Sequence, residues 1–76
     1  MDLGKMIRFH RNKSGLSRNQ LAEIAGVGKT VIFDIEHGRT TVRFSTLFLI
    51  FEILNIKIKF DSPYMPQFKR ENNEER

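Results

Sequence analysis

The chain has 76 residues and no cysteine, so it is long enough for one small domain but cannot form a disulfide or a thiolate zinc site. Residues 1–60 have a net charge of +5 and residues 61–76 of −1, and a basic domain is typical of proteins that bind a polyanion such as nucleic acid. No signal peptide opens the chain and the longest apolar run, residues 47–51, is too short to span a membrane, so we expect a cytoplasmic protein.

The first two predicted elements are short helices. Apolar residues recur with helical spacing over residues 2–14, and Gly15 follows as a residue type that ends helices in the left-handed conformation. Ser17 begins the second helix, and Gln20 stands three residues later. This spacing predicts a capping box, in which each side chain bonds the other residue's free backbone N–H.

The third predicted helix, residues 29–37, follows a corner of Gly26, Val27 and Gly28. One half of this helix is apolar and can pack inward, whereas the other half is a stripe of short polar and aromatic residues. Two short helices joined by a glycine corner are typical of a helix-turn-helix, whose second helix enters the DNA major groove. The alternative is an ordinary corner between two helices of a small bundle.

The fourth predicted helix, residues 43–54, is apolar around almost its whole circumference, which indicates burial on several sides. Residues 56–60 alternate apolar and lysine residues with the period of a strand. A single strand has nothing to pair with in its own chain, so we expect pairing across a two-fold axis. The residues predicted at the interface of this homodimer are Phe48, Phe51, Ile56, Ile58 and Phe60.

Residues 61–76 contain two prolines and the polar run KRENNEER, and we predict a flexible tail after a folded domain of residues 1–60. Tyr64, Met65 and Phe68 form an apolar cluster in this tail. Such a cluster can fold onto a partner protein. The alternative is an inert extension.

The pattern over residues 3–54 resembles the Xre/Cro-type helix-turn-helix family, which includes lambdoid phage repressors. The residues that carry the resemblance are Leu16, Ser17, Leu21, Ala22, Gly26, Val27, Ile32, Ile35, Glu36 and Gly38. The later segment, residues 38–60, resembles the HipB-type antitoxins. This resemblance implies a mainly all-α, lambda-repressor-like domain of four helices plus a C-terminal strand that pairs across a dimer.

The resemblance also implies roles for individual residues. The positions that match base-contacting residues of the family are Lys29, Thr30, Phe33 and Asp34. Lysine can donate to guanine, aspartate can accept from cytosine N4, and phenylalanine or the threonine methyl can contact the thymine methyl. The alternatives are a phosphate contact for Lys29, a packing role for Phe33 and a solvated charge for Asp34.

Phosphate contacts are expected on both sides of the third helix. The candidates are Arg18, Gly28, Arg39, Thr40 and Arg43. Arg18 stands where the family usually has a glutamine that contacts phosphate, and Gly28 leaves room for a phosphate at the helix N-terminus. Arg11 and Glu36 match a family pair that ties the first helix to the third, so we expect a structural ion pair.

These observations predict a repressor that binds an inverted-repeat operator in double-stranded DNA as a homodimer. The HipB resemblance adds the role of an antitoxin, which binds a HipA-like kinase toxin and represses their shared operon. The alternatives are a stand-alone or phage-type regulator and a protein-interaction module that has lost DNA binding. We expect no enzyme activity, no cofactor and no metal site, because the chain has two histidines, no cysteine and no recognisable catalytic set.

Overall fold

A computed structural model of the chain describes residues 2–39 and 41–72, and this part of the protein contains five helices. The helices are α1 (Leu3–Lys13), α2 (Arg18–Ala25), α3 (Lys29–Glu36), α4 (Phe44–Ile53) and α5 (Met65–Glu71). The bounds of α1–α4 agree within one residue at each end with the four helices that the sequence predicts. No helix among the described residues is long and apolar enough to cross a membrane.

Side-chain caps fix the beginnings of the first two helices. The carboxylate of Asp2 accepts a hydrogen bond from the backbone N–H of Lys5 at the start of α1. At α2, Ser17 accepts from the Gln20 backbone N–H at 3.0 Å, and the Gln20 side chain accepts from the Ser17 N–H at 2.8 Å. The predicted capping box is therefore confirmed, and it satisfies two donors that a helix end leaves free.

The corner between α2 and α3 depends on backbone conformation. Gly26 has a φ of +72°, in the left-handed region that L-residues avoid, and it ends α2. The backbone N–H of Val27 then bonds the carbonyl of Ala22 at 2.9 Å, and its side chain packs against the core. Gly28 precedes α3 with an ordinary extended conformation and nothing within 4 Å of the position of a Cβ atom.

The core lies between α1, α2, α3 and α4. Its four fully buried side chains, one from each helix, are Ile7, Leu21, Ile32 and Ile50. Helix α1 approaches the end of α3 so closely that a Cβ atom on Gly4 would lie 2.6 Å from the carbonyl oxygen of Ile35. Only glycine allows this close approach, and the backbone of α1 therefore packs directly against the C-terminal end of α3.

Two features of the C-terminal part differ from the sequence prediction. We expected four helices, but the described residues form five. The additional helix is α5, Met65–Glu71, which lies within the segment that we predicted to be a flexible tail. Pro66 fits there because the first turn of a helix needs no proline N–H. The Gln67 side chain also donates to Glu71 at 2.8 Å, one turn later. Residues 73–76 lie outside the described residues.

The predicted strand is absent from the described single chain: residues 56–60 have no regular secondary structure. A lone extended segment has no backbone partner within its own chain, so a strand would form here only if another strand paired with it. Phe51, which we predicted for the dimer interface, lies instead in the core of the chain and is 7% exposed. By contrast, Phe48, Ile58 and Phe60 are exposed, and Ile56 is half-buried against the core.

Candidate nucleic-acid interface

Two arginines share the carboxylate of Glu36 at the centre of the helix-turn-helix. Arg11 on α1 donates from Nε to Glu36 at 2.6 Å, and its guanidinium also bonds the carbonyl of Leu16 at 2.8 Å. Arg18 on α2 donates from Nε to the other carboxylate oxygen at 2.9 Å. The Glu36 side chain is fully buried, so this array connects α1, α2 and α3 at one point, and the predicted Arg11–Glu36 pair is present.

The charge on Glu36 is compensated by its surroundings. Burial by itself raises the pKa of the carboxyl group, but the hydrogen bonds and charges of Arg11 and Arg18 outweigh it and lower the pKa below its usual value. Glu36 therefore remains ionised. Because two guanidinium groups face one carboxylate, the array retains one positive charge beside the outer face of α3.

Arg18 also contacts the aromatic residue on the outer face of α3. Its guanidinium carbon lies over the Phe33 ring, 5.2 Å from the ring centroid. On the same ring, the imidazole of His37 stacks with a centroid separation of 3.9 Å and an angle of 19° between planes. His37 Nδ1 donates to the Phe33 carbonyl at 2.8 Å, which holds the imidazole in this position.

The remaining residues predicted to contact bases lie along the same face. Lys29 and Thr30 are exposed in the first turn of α3, and with Arg18, Asn19 and Phe33 they line an open groove between the N-termini of α2 and α3. Asp34 is half-buried one turn later, and its carboxylate lies 3.9 Å from Nε of Arg39. The structure thus brings Lys29, Thr30 and Phe33 together, while Asp34 lies beside an arginine.

The residues predicted to contact phosphate are distributed around this face. Gly28 is open at the start of α3, and Arg39 and Arg43 are exposed beyond its end. Arg18 is engaged with Glu36 and Phe33, an arrangement that we did not predict from the sequence. Thr40, the other predicted contact, lies outside the described residues.

Our sequence analysis did not predict three features of this interface. The i,i+4 spacing of Phe33 and His37 is a signal for side-chain contact on a helix, but it does not distinguish a stack from two separate solvated rings. Nothing in the local sequence indicates that Arg18 bonds Glu36, because the pair is eighteen residues apart and depends on the corner geometry. Asn19 also lines the groove without a distinctive sequence signal.

The predicted partner-binding residues lie far along the chain from this interface. Tyr64 precedes α5, and Met65 and Phe68 lie on it. Tyr64 and Phe68 are exposed, while Met65 is half-buried. Among residues 2–39 and 41–72, no group of three or more histidine, cysteine, aspartate or glutamate side chains is placed to hold a metal ion.

Comparison with known proteins identifies the family. A sequence profile of helix-turn-helix domains matches residues 7–60, more than two thirds of the chain. The chain belongs to the Xre-type helix-turn-helix family. The match includes the capping box, the Gly26 corner and the exposed α3 face described above. Members of this family are generally not enzymes.

Two relatives of this helix-turn-helix domain have curated names. The control protein C.SmaI of Serratia marcescens is 38% identical over 56 residues, which cover 74% of this chain and 67% of that protein. A protein named as an uncharacterized HTH-type transcriptional regulator, y4mF of Sinorhizobium fredii, is 31% identical over 62 residues, 82% of each protein. The family resemblance predicted from the sequence is thus confirmed at the level of the Xre-type domain, and the HipB-type assignment remains a prediction.

Proposed function

We propose that this protein is a sequence-specific, DNA-binding transcriptional regulator that places α3 in the major groove. The observation that carries the proposal is the division of α3 into two sides. Ile32, Ile35 and Glu36 are buried in the domain, whereas Lys29 and Phe33 are exposed beside the N-terminus of α2. Membership of the Xre-type family and a relative named as a transcriptional regulator support the same function.

The exposed face offers suitable chemistry for base contacts. Lys29 donates to guanine O6 and N7, Thr30 donates or accepts at a base edge, and Phe33 packs against a thymine methyl. Asp34 accepts from cytosine N4 when Arg39 turns from its carboxylate to a phosphate, which is possible because Arg39 is exposed and the pair is separated by 3.9 Å. Gly28, Arg39 and Arg43 supply the phosphate contacts that orient the helix.

We further propose a homodimer formed through the C-terminal part of the domain. Phe44 and Phe48 stack along one exposed stripe of α4 with ring centroids 6.0 Å apart. Ile58 and Phe60 are also exposed in the extended segment that follows. A two-fold axis through these surfaces would bury the aromatic rings and pair residues 56–60 with their counterparts. Two α3 helices about 34 Å apart then match an inverted repeat.

Light scattering tests the dimer at micromolar concentration. We expect a mass of twice the 8.9 kDa of one chain. The double variant Phe48→Asp, Phe60→Asp should have the mass of one chain and an unchanged helical circular dichroism spectrum. A single-chain mass for the unmodified protein would contradict the dimer.

The antitoxin role is the finer part of this proposal. It rests on the resemblance of residues 38–60 to HipB-type proteins and on the exposed Tyr64 and Phe68, which offer apolar surface at the start of α5 and on it. The names of the two relatives, a control protein and a transcriptional regulator, do not mention a toxin. Co-purification of a kinase encoded beside this gene, and loss of that kinase from a Tyr64→Ser, Phe68→Ser variant, would support the role. If the co-expressed kinase does not bind the unmodified protein, the antitoxin role is contradicted.

A fluorescence-anisotropy titration tests DNA binding. The probes are the duplex upstream of the gene for this protein and a scrambled duplex of the same composition, at about 50 and 200 mM salt. We expect tighter binding to the upstream duplex at both salt concentrations and weaker binding of both duplexes at the higher one. If that duplex shows no preference, selection from a random duplex library decides whether any operator exists, and recovery of none would contradict the proposed function.

A further inference from the structure

The Phe33 ring is unusually well held for an exposed side chain. It is 45% exposed, yet the His37 imidazole stacks on it at 3.9 Å and the Arg18 guanidinium lies over it at 5.2 Å. Both neighbours are themselves fixed, His37 by its hydrogen bond to the Phe33 carbonyl and Arg18 by Glu36. An exposed phenylalanine on a helix is otherwise free to change rotamer.

The line of contacts continues into the domain. Glu36, which fixes Arg18, is itself held by Arg11, and Arg11 is anchored on the Leu16 carbonyl. The position of the Phe33 ring therefore depends on groups from α1, α2 and α3. This order is present without DNA, so a contact made by the ring costs little side-chain conformational entropy on binding.

A fixed apolar ring in the major groove suits one base substituent in particular. Thymine presents a C5-methyl group there, whereas cytosine, guanine and adenine present only polar groups or C–H at their edges. A phenyl ring cannot donate or accept a hydrogen bond with the polar groups, and it would leave them without water. It therefore favours the base that offers a methyl group.

We propose that Phe33 is a specificity-determining residue for thymine, and that Arg18 is a positioning residue for its ring and not primarily a phosphate contact. This inference rests on the proposed function. It deepens that function by naming the base recognised at one operator position and the group that holds the recognising side chain. His37 belongs to the same arrangement, as the second group that covers the ring.

The test removes single methyl groups from a bound operator. A duplex selected from a random library as the tightest binder is resynthesised with deoxyuridine in place of one thymine at a time, which deletes the methyl group and preserves base pairing. We expect one thymine whose replacement weakens binding of the unmodified protein by about fourfold, the effect of one buried methyl-sized group. For Phe33→Ala, the affinities for the thymine and uracil duplexes should be equal.

Arg18→Gln separates positioning from phosphate binding. If Arg18 positions the ring, the fourfold preference for thymine falls towards one, while the salt dependence changes less than in Arg43→Gln. If Arg18 is mainly a phosphate contact, the preference stays fourfold and the slope of log affinity against log salt falls by about one, which would overturn the positioning role. Arg43→Gln is the matched control, because Arg43 is an exposed arginine at the start of α4, whereas Glu36 and Phe33 lie on α3 with Arg18 against them.

The outcomes distinguish this inference from the function on which it rests. Selection of no duplex would contradict the proposed function, and the inference with it. Selective binding in which no thymine shows a methyl effect that Phe33→Ala abolishes would overturn the inference alone. Circular dichroism of each variant confirms folding, which we expect because Phe33 lies outside the core and Glu36 keeps Arg11 when Arg18 is replaced.

Discussion

The helix-turn-helix part of the molecule and its C-terminal part are held together by different means. Within residues 2–54, four helices enclose a common core, and a buried carboxylate connects three of them through two arginines. In the described residues after Leu54, no side chain is buried, and Phe60, Tyr64 and Phe68 are exposed. The first part has its own core, whereas the second leaves its aromatic side chains on the surface, as α4 does with Phe44 and Phe48.

Under the proposed function, specificity and assembly make different demands on a surface. A surface that must contact bases needs side chains fixed before DNA arrives, and polar contacts of defined geometry fix them at α3. A surface that joins two copies needs apolar area, which can remain exposed until the copies meet. The first part should then depend on its buried charge for stability, and the second should contribute little to the stability of the single chain.

The largest expected effect follows from removing the shared carboxylate. Glu36→Gln leaves the buried Arg11 without a negative partner, and breaking a buried ion pair from one side costs about 3 kcal/mol or more. Urea unfolding followed by circular dichroism measures the loss. The matched control is Lys5→Ala, which removes an exposed pair at 4.0 Å and should change stability by less than about 0.5 kcal/mol. Equal effects from the two variants would show that the buried array is not important for stability.

Acid provides a reversible version of the same test. Because the pKa of Glu36 is lower in the folded protein than in the unfolded chain, its contribution to stability is complete above the pKa of an ordinary glutamate, about 4.3. It is lost as the pH falls through the lower folded pKa. Urea midpoints measured from pH 7 to pH 2.5 should decline more steeply at acid pH for the unmodified protein than for Glu36→Gln. Parallel declines would contradict the assignment.

Gly4→Ala tests the close approach of α1 to the end of α3. The added Cβ atom would meet two backbone carbonyl oxygens at 2.6 and 2.7 Å. Backbone cannot yield as a flexible side chain does, so we expect a net loss of about 1–2 kcal/mol even though alanine favours helix. Gly28→Ser is the glycine control: its site is open, and the serine cap should add a few tenths of a kcal/mol. A stabilised Gly4→Ala variant would indicate that α1 is free to move outward.

The smallest effect is expected in the C-terminal part. Phe68→Ala removes an exposed ring that is absent from the core cluster, so the unfolding free energy should change by less than about 0.5 kcal/mol. Urea unfolding at a protein concentration where light scattering gives a single-chain mass provides the measurement. A loss above about 1.5 kcal/mol under those conditions would mean that α5 packs on the domain, and the contrast between the two parts would not hold.

The four helices of the domain follow from signals that are local in the sequence. Ser17 and Gln20 form the capping box that their spacing predicts, and Gly26 has the left-handed conformation that its position indicates. The apolar half of α3 is buried as helical periodicity requires. In each case the interacting residues lie within one or two turns of each other, so their spacing alone defines the geometry.

The features that the sequence did not predict have different causes. Arg18 meets Glu36 only because the corner brings α2 and α3 together. Phe51 and Phe48 are three residues apart on an almost wholly apolar helix, and periodicity alone does not say which side meets the core of the single chain. Helix α5 was missed because Pro66 indicates a break unless it falls in the first turn.

The most direct test of the account is a nuclear magnetic resonance titration of the isotope-labelled protein with its selected operator duplex. Both parts of the molecule carry basic residues, Lys29 and Arg43 around α3, and Lys57, Lys59 and Lys69 in the C-terminal part, so charge alone does not decide between them. The account predicts that the largest amide shift changes fall at residues 17–20 and 28–37. Changes confined to residues 56–71 would contradict it, because DNA would then bind the C-terminal part and not the face of α3.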